Sequence, residues 1–98
     1  MRESEYQQGL KKRIKKKIPG CRVLKNDPND IQGFPDLSVH YKGRVAYLEC
    51  KRSKNERRQP NQEFYIKQLS EEGAFASFIF PENEKETLDG LERALGIT

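Results

Sequence analysis

The chain has 98 residues, of which 34% are hydrophobic and 35% are charged, and its net charge is +4. We predict one domain over residues 1–98, with a small core and a strongly ionic surface. Apolar runs such as residues 78–80 are far too short to cross a bilayer, and the N-terminus lacks the apolar segment of a secretory signal. These properties exclude an integral membrane protein, and we expect an intracellular one.

The charges are distributed unevenly along the chain. Residues 1–25 carry nine Lys or Arg against two acids, and residues 51–58 carry five against one. Residues 71–98 carry seven acids against two cations. A basic N-terminal half joined to an acidic C-terminal end favours a face that binds a polyanion, although charge alone leaves a well-solvated surface as the alternative.

Residues 3–17 are predicted to form the first helix, because apolar residues recur along it every four positions. This stripe consists of Tyr6, Leu10, Ile14 and Ile18. Glu3 lies seven residues before Leu10 and therefore within the buried stripe, where a carboxylate is costly unless a cation meets it. Alternatively, Ser4 caps the helix and Gln7 closes a capping box, which would leave Glu3 at a frayed end.

A strand and a loop are predicted to follow this helix. Residues 21–25 form the strand, after a Pro-Gly pair that ends the helix. Residues 26–35 form the loop, because two Pro, one Gly and four Asn or Asp fall within ten positions. A loop of this length is expected to serve function as well as connection.

Residues 33–51, GFPDLSVHYKGRVAYLECK, predict two antiparallel strands joined by a tight Lys-Gly turn. Asp36 opens the first strand, and alternation places Glu49 and Lys51 on the same face of the second. Apolar residues occur on both faces of this hairpin, which predicts a sheet sandwiched between helices.

The remaining pattern completes an α/β protein. Pro60 suits the first turn of a second helix, which is expected to end at Gly73. Residues 74–80 predict a strand and residues 84–95 a last amphipathic helix. The predicted order is αβββαβα in a single domain.

The acid, hairpin and Glu-x-Lys arrangement suits the hydrolysis of a phosphodiester. A divalent metal activates its bound water and neutralises phosphate charge, and Mg²⁺ prefers hard oxygen ligands. Asp36 and Glu49 on adjacent strands can converge on one ion, and the backbone carbonyl of Cys50 can add a further oxygen. Lys51, on the face of Glu49, can orient the nucleophile and stabilise developing charge.

Taken alone, Glu-x-Lys is a weak signal, because a cross-strand ion pair produces the same pattern. The conjunction is more specific. An acid in the setting Gly-Phe-Pro-Asp precedes the hairpin, Glu49 follows Asp36 by 13 residues, and Glu3 lies inward upstream.

These motifs resemble a known family. GFPDL, YLECK and QPNQEFYIKQL together are similar to the virus-type replication-repair nuclease (VRR-NUC) domain of the PD-(D/E)xK superfamily. The resemblance implies a restriction-endonuclease-like αβββαβα core with a mixed sheet flanked by helices. It also implies that Glu3, Asp36 and Glu49 bind Mg²⁺ or Mn²⁺, that Lys51 assists hydrolysis, and that Gln62 belongs to the site. Short stand-alone members of this family occur in phages and act as dimers on branched DNA.

Several cations outside the carboxylate set are candidates for contacts with DNA phosphates. They are Lys11, Lys12, Lys15 and Lys16 on the first helix and Arg52, Lys54, Arg57 and Arg58 after the hairpin. His40 lies on the Asp36 face of its strand and is either a further base or a half-exposed polar residue. Cys21 and Cys50 lack partners at zinc-ligand spacing and are expected to be reduced, packed thiols.

The leading hypothesis is therefore a Mg²⁺- or Mn²⁺-dependent endonuclease that cuts branched DNA, such as a Holliday junction or a flap, in DNA repair. It is expected to be a homodimer, because a four-way junction is two-fold symmetric, and to act in the cytoplasm of a bacterial host if it is phage-encoded. A non-catalytic DNA-binding module and a sequence-specific nuclease on the same fold are the alternatives.

Overall fold

Three α-helices and four β-strands follow one another in the computed structural model, which describes residues 1–97. In chain order they are α1 (Glu3–Lys17), β1 (Arg22–Lys25), β2 (Leu37–Tyr41), β3 (Arg44–Cys50), α2 (Pro60–Glu71), β4 (Phe75–Ile79) and α3 (Glu84–Ala94), with a 3₁₀ turn at Pro81–Asn83 before α3. This is the predicted αβββαβα order.

The ends of several elements differ from the prediction by one or two residues. β1 begins after Cys21, because the Cys21 amide donates to the Ile18 carbonyl and closes the end of α1. β4 begins after Ala74, whose amide donates to the Leu69 carbonyl in the same way at the end of α2, and it ends one residue early at Ile79. α3 stops one residue early, and Leu95 becomes its cap.

The strands form one mixed sheet in the order β1-β2-β3-β4. β1, β2 and β3 pair antiparallel, while β4 lies parallel to β3 after the crossover through α2. Both residues of the turn between β2 and β3 adopt positive φ, 48° at Lys42 and 82° at Gly43. This geometry matches the twist of a two-residue hairpin and sets the register of Leu37 opposite Leu48.

The hydrophobic core lies between one face of the sheet and helices α1 and α3. Leu37, Val39 and Leu48 from the sheet are fully buried there against Leu10 of α1 and Leu91 of α3. α2 contacts the other face, where the Phe34 ring makes edge contacts with Tyr47 of β3 and Tyr65 of α2. The sheet is therefore sandwiched between helices, as predicted.

Ionic contacts join α1 to α3. Arg13 donates twice to Glu84, with a shortest distance of 2.7 Å, and the Tyr6 hydroxyl donates to the same carboxylate at 2.9 Å. Lys17 lies 3.1 Å from Asp89 and also pairs with Glu92. Part of the acidic C-terminal end therefore neutralises the charge of cations on α1.

Both cysteines are free thiols, Cys50 fully buried and Cys21 half-buried. Within residues 1–97, no helix combines the length and the apolar character needed to cross a membrane.

Candidate active site

Three carboxylates converge at the edge where β2 begins and β3 ends. Glu3 comes from the first turn of α1, Asp36 immediately precedes β2, and Glu49 is the penultimate residue of β3. Oxygens of the three groups all lie within 4.8 Å of one another. The alternative in which Ser4 caps the helix is wrong, because α1 already begins at Glu3 and Arg2 is its cap. The helix thereby directs Glu3 towards the sheet.

Asp36 is held in place by the backbone around it. The Cys50 amide donates to Asp36 Oδ2 at 2.9 Å, and the Asn26 amide donates to the Asp36 carbonyl at 2.7 Å. The Asn26 side chain donates in turn to the Pro35 carbonyl. Because the N–H and C=O groups of one strand residue point to the same side, the Cys50 carbonyl is also directed towards the Asp36 side of β3.

Lys51 and Gln62 form a hydrogen-bonded unit beside the carboxylates. Lys51 is only 3% exposed, and its ammonium donates to Gln62 Oε1 at 2.7 Å and to the Arg57 carbonyl at 3.1 Å. Gln62 Nε2 donates to Glu49 Oε2 at 3.0 Å. The Gln59 amide also donates to Gln62 Oε1, which fixes the orientation of this carboxamide. One glutamine therefore links the base of α2 to both Glu49 and Lys51.

The electrostatics of this cluster favour protons or cations. Glu49 is 2% exposed, and its burial, followed by the charge and hydrogen bond of Asp36, raises its pKa to about 9 although Lys51 opposes the shift. Burial, followed by contact with Glu56, raises the pKa of Glu3 to about 7. Lys51 alone therefore does not balance the negative charge that the fold concentrates here.

Sequence reasoning missed Glu56. This residue lies in the connector between β3 and α2, where its carboxylate accepts from the Arg52 amide and approaches Glu3. Burial of Glu56 would raise its pKa, but the Arg52 amide and the contact with Glu3 outweigh burial and lower it. Its only signal in the sequence is that it is the single acid in the basic stretch 51–58.

The candidate DNA-binding cations occupy two regions. The first region is the connector, whose Arg57 carbonyl accepts a hydrogen bond from Lys51. Its exposed cations are Arg52, Lys54, Arg57 and Arg58. Of these, Arg52 pairs with Glu56 at 3.5 Å, and Arg58 lies over the Phe78 ring.

The second region is α1, which extends away from the site. Lys11 is half-buried, whereas Lys12, Lys15 and Lys16 are exposed. At 1.5 Å per helical residue, these lysines lie about 12 to 20 Å along the axis from Glu3.

His40 does not join the carboxylates. Its ring contacts the Ser38 hydroxyl at 3.2 Å. It lies four strand residues beyond Asp36, or roughly 13 Å at 3.3 Å per residue, near the opposite end of β2. The interpretation of His40 as a half-exposed polar residue is the one that the fold supports.

The fold is similar to that of solved structures described as VRR_NUC domain proteins. No family model and no curated protein matches the sequence. One structure, a "VRR_NUC domain protein", has a TM-score of 0.75 and 18% identity, over 99% of this chain and 90% of that chain. A second, "VRR_NUC domain", has a TM-score of 0.71 and 24% identity, over 93% and 94%. The predicted restriction-endonuclease-like fold is thereby confirmed.

Proposed function

We propose that this protein is a divalent-metal-dependent endonuclease that hydrolyses phosphodiester bonds in branched DNA. The observation that carries the proposal is the convergence of the Glu3, Asp36 and Glu49 carboxylates within 4.8 Å, beside the buried ammonium of Lys51. The similarity of the fold to VRR_NUC structures supports it, because the resemblance of the sequence to that family implies the same residue set.

The donor set suits a hard divalent cation. Three carboxylates, two of them with raised pKa, offer oxygen ligands and an excess of negative charge. Glu3, Asp36 and Glu49 would hold Mg²⁺ or Mn²⁺, with the Cys50 carbonyl as a further oxygen. When bound, such an ion supplies an activated water and neutralises charge on the scissile phosphate.

Lys51 is suited to act on the phosphate and on the attacking water. An ammonium has three N–H donors, of which Gln62 and the Arg57 carbonyl use two, so one is left for substrate. Burial of Lys51 keeps water from competing for that donor and strengthens its effect on developing negative charge. Gln62 keeps Lys51 and Glu49 at a constant separation, and its role is positioning.

The basic connector and α1 provide a surface for the DNA backbone. The connector cations flank the carboxylates, and the exposed lysines of α1 extend this charge along the molecule. Phosphate contacts of this kind hold DNA without reading its sequence, so selectivity would come from DNA shape. A homodimer would place two sites on a two-fold symmetric junction, and sedimentation of the protein on junction DNA would reveal a monomer if this is wrong.

The proposal is tested with a panel of labelled four-way junctions, flaps and sequence-scrambled duplexes in Mn²⁺. We expect cleavage of the branched substrates and a loss of about 10²–10³-fold in Lys51→Ala, because one transition-state donor is removed. Lys67→Ala, an exposed lysine of α2, is the control with the same charge change and is expected to match wild type.

Three outcomes would contradict parts of the proposal. Absence of any cleavage, or unchanged cleavage by Lys51→Ala, would contradict catalysis at this site. Absence of Mn²⁺ binding in a calorimetric titration would favour a non-catalytic DNA-binding module. Cleavage of one duplex sequence among the scrambled set would favour a sequence-specific nuclease.

A further inference from the structure

A cleft of about 470 Å³ opens beside the carboxylate site, between the loop before β2 and the first turn of α2. Its walls consist of Gln32, Gly33, Gln59, Pro60, Asn61 and Gln62. Gln62 belongs to both places, because its carboxamide also contacts Glu49 and Lys51. Any group that occupies this cleft would therefore lie next to the phosphate being cleaved.

The chemistry of the cleft differs from that of the surface around it. Among residues 1–97, those lining the cleft include no charged side chain, although the strongly basic connector ends immediately before Gln59. Four of the six residues carry a carboxamide, which offers both a donor and an acceptor. Carboxamides can pair with the edges of bases, whereas most of the affinity for phosphates comes from Arg and Lys, which the cleft lacks.

The walls of the cleft are held rigidly. Gly33 has φ of +86° and packs so closely against Asn61 that a Cβ at position 33 would overlap Asn61 atoms. The neighbouring Phe34 ring is fixed between Tyr47 and Tyr65. The loop and α2 therefore keep their separation without a ligand, and the volume lies within the range of about 300–1,000 Å³ found for small-molecule sites.

We propose that this cleft receives the base of one unpaired nucleotide adjacent to the scissile phosphate, with Gln32 and Asn61 as its hydrogen-bonding groups. Both side chains are solvent-exposed at the walls, so their donors and acceptors are free to meet a ligand. In a continuous duplex the base edges used for pairing are already occupied. The inference rests on the proposed function and narrows it, because it favours flaps, bulges and overhangs over fully paired junctions.

The first experiment compares cleavage in Mn²⁺ of three DNAs with the same sequence around the incision: a duplex, the duplex with one bulged nucleotide, and a flap. We expect the bulge and the flap to be cut faster than the duplex. Asn61→Ala and Gln32→Ala should each lower cleavage of these two DNAs roughly tenfold, through KM, and leave the duplex rate unchanged. Asn61→Ala keeps the Cβ against which Gly33 packs, so the cleft itself should persist.

Gln68→Ala is the matched control, because it removes an exposed carboxamide from the same helix outside the cleft. Equal cleavage of duplex and bulge by wild type, or an equal loss on both DNAs in the variants, would overturn the cleft assignment and leave the nuclease intact.

A second readout is independent of cleavage. The fluorescent base 2-aminopurine, placed at the bulge, should change its emission when wild type binds in Ca²⁺, and Asn61→Ala should abolish the change while Gln68→Ala retains it. If no DNA were cleaved but this pattern held, the proposed catalysis would fail and the cleft assignment would stand. Identical emission with all three proteins would contradict the cleft assignment.

Discussion

Glu49 is nearly inaccessible to solvent and lies between Asp36 and Gln62 at the end of β3. An acid in this position is costly to ionise, because it loses hydration and gains a negative neighbour. Gln62 and Lys51 compensate part of that cost. A divalent cation would compensate the rest, and for this reason the same side chains that destabilise the metal-free protein are suited to bind an ion.

The first prediction concerns the pH dependence of stability in EDTA. A carboxyl with a higher pKa in the folded chain stabilises the fold most below its unfolded pKa and loses this contribution as pH rises through the folded pKa. For Glu3 the window runs from 4.5 to about 7, and for Glu49 from 4.5 to about 9. We therefore expect the free energy of unfolding contributed by these groups to fall between pH 5 and 9, measured by urea denaturation.

Glu49→Gln should flatten this dependence, because a neutral amide replaces the group with the larger shift. Glu63→Gln, an exposed acid of α2, serves as its control and should retain the wild-type slope. A stability that rises through this window in wild type would contradict the assignment of raised pKa values.

At the scale of elements, the contact between the 26–35 loop and α2 positions both the cleft and Asp36. Gly33→Ala should destabilise the protein, because alanine is strained at φ +86° and its Cβ would overlap Asn61. Gly43→Ala is the matched control, since Gly43 has φ +82° but no atom within 4 Å of an added Cβ. We expect Gly33→Ala to cost about 1–3 kcal/mol more than Gly43→Ala, the usual penalty of overpacking, measured by denaturation. Equal costs would show that the close contact is unimportant.

The sequence predicted the helices and strands well, because most of the patterns that indicate them are local. The hairpin follows from alternation and a Lys-Gly turn, and Asp36 and Glu49 follow from the hairpin. The inward position of Glu3 on its helix followed from the spacing of Tyr6 and Leu10. Gln62, in contrast, was assigned to the site only through resemblance to a family.

The unpredicted features depend on tertiary structure. Glu56 reaches Glu3 through an irregular connector that has no periodicity to indicate its path. The ion pair of Arg13 with Glu84 joins residues 71 positions apart, so no local pattern reveals that this cation is already compensated. The cleft at Gln32 and Asn61 likewise arises from the packing of a loop on a helix.

At the scale of the whole molecule, the cations of α1 fall into two groups, those that pair with acids of α3 and those that do not. α3 neutralises Arg13 and Lys17 on one side of α1. Within residues 1–97, none of the lysines proposed to contact DNA forms an ion pair. The carboxylate site lies at one edge of the sheet, beside the basic connector and at the start of α1. In the proposed complex, DNA bound by the connector and by the start of α1 would lie close to the three acids.

The most direct test of this account is Mn²⁺-dependent cleavage of branched DNA by wild type and by Asp36→Asn. The amide keeps an oxygen for the Cys50 N–H but removes the charge. We therefore expect the cleavage rate to fall at least about a hundredfold, which exceeds the usual effect of changing a residue that only supports a metal ligand. Asp30→Asn, an exposed acid of the same loop, should cleave as wild type does, and EDTA should stop both. Cleavage by Asp36→Asn at the wild-type rate, or cleavage that persists in EDTA, would contradict a metal-dependent site at Glu3, Asp36 and Glu49.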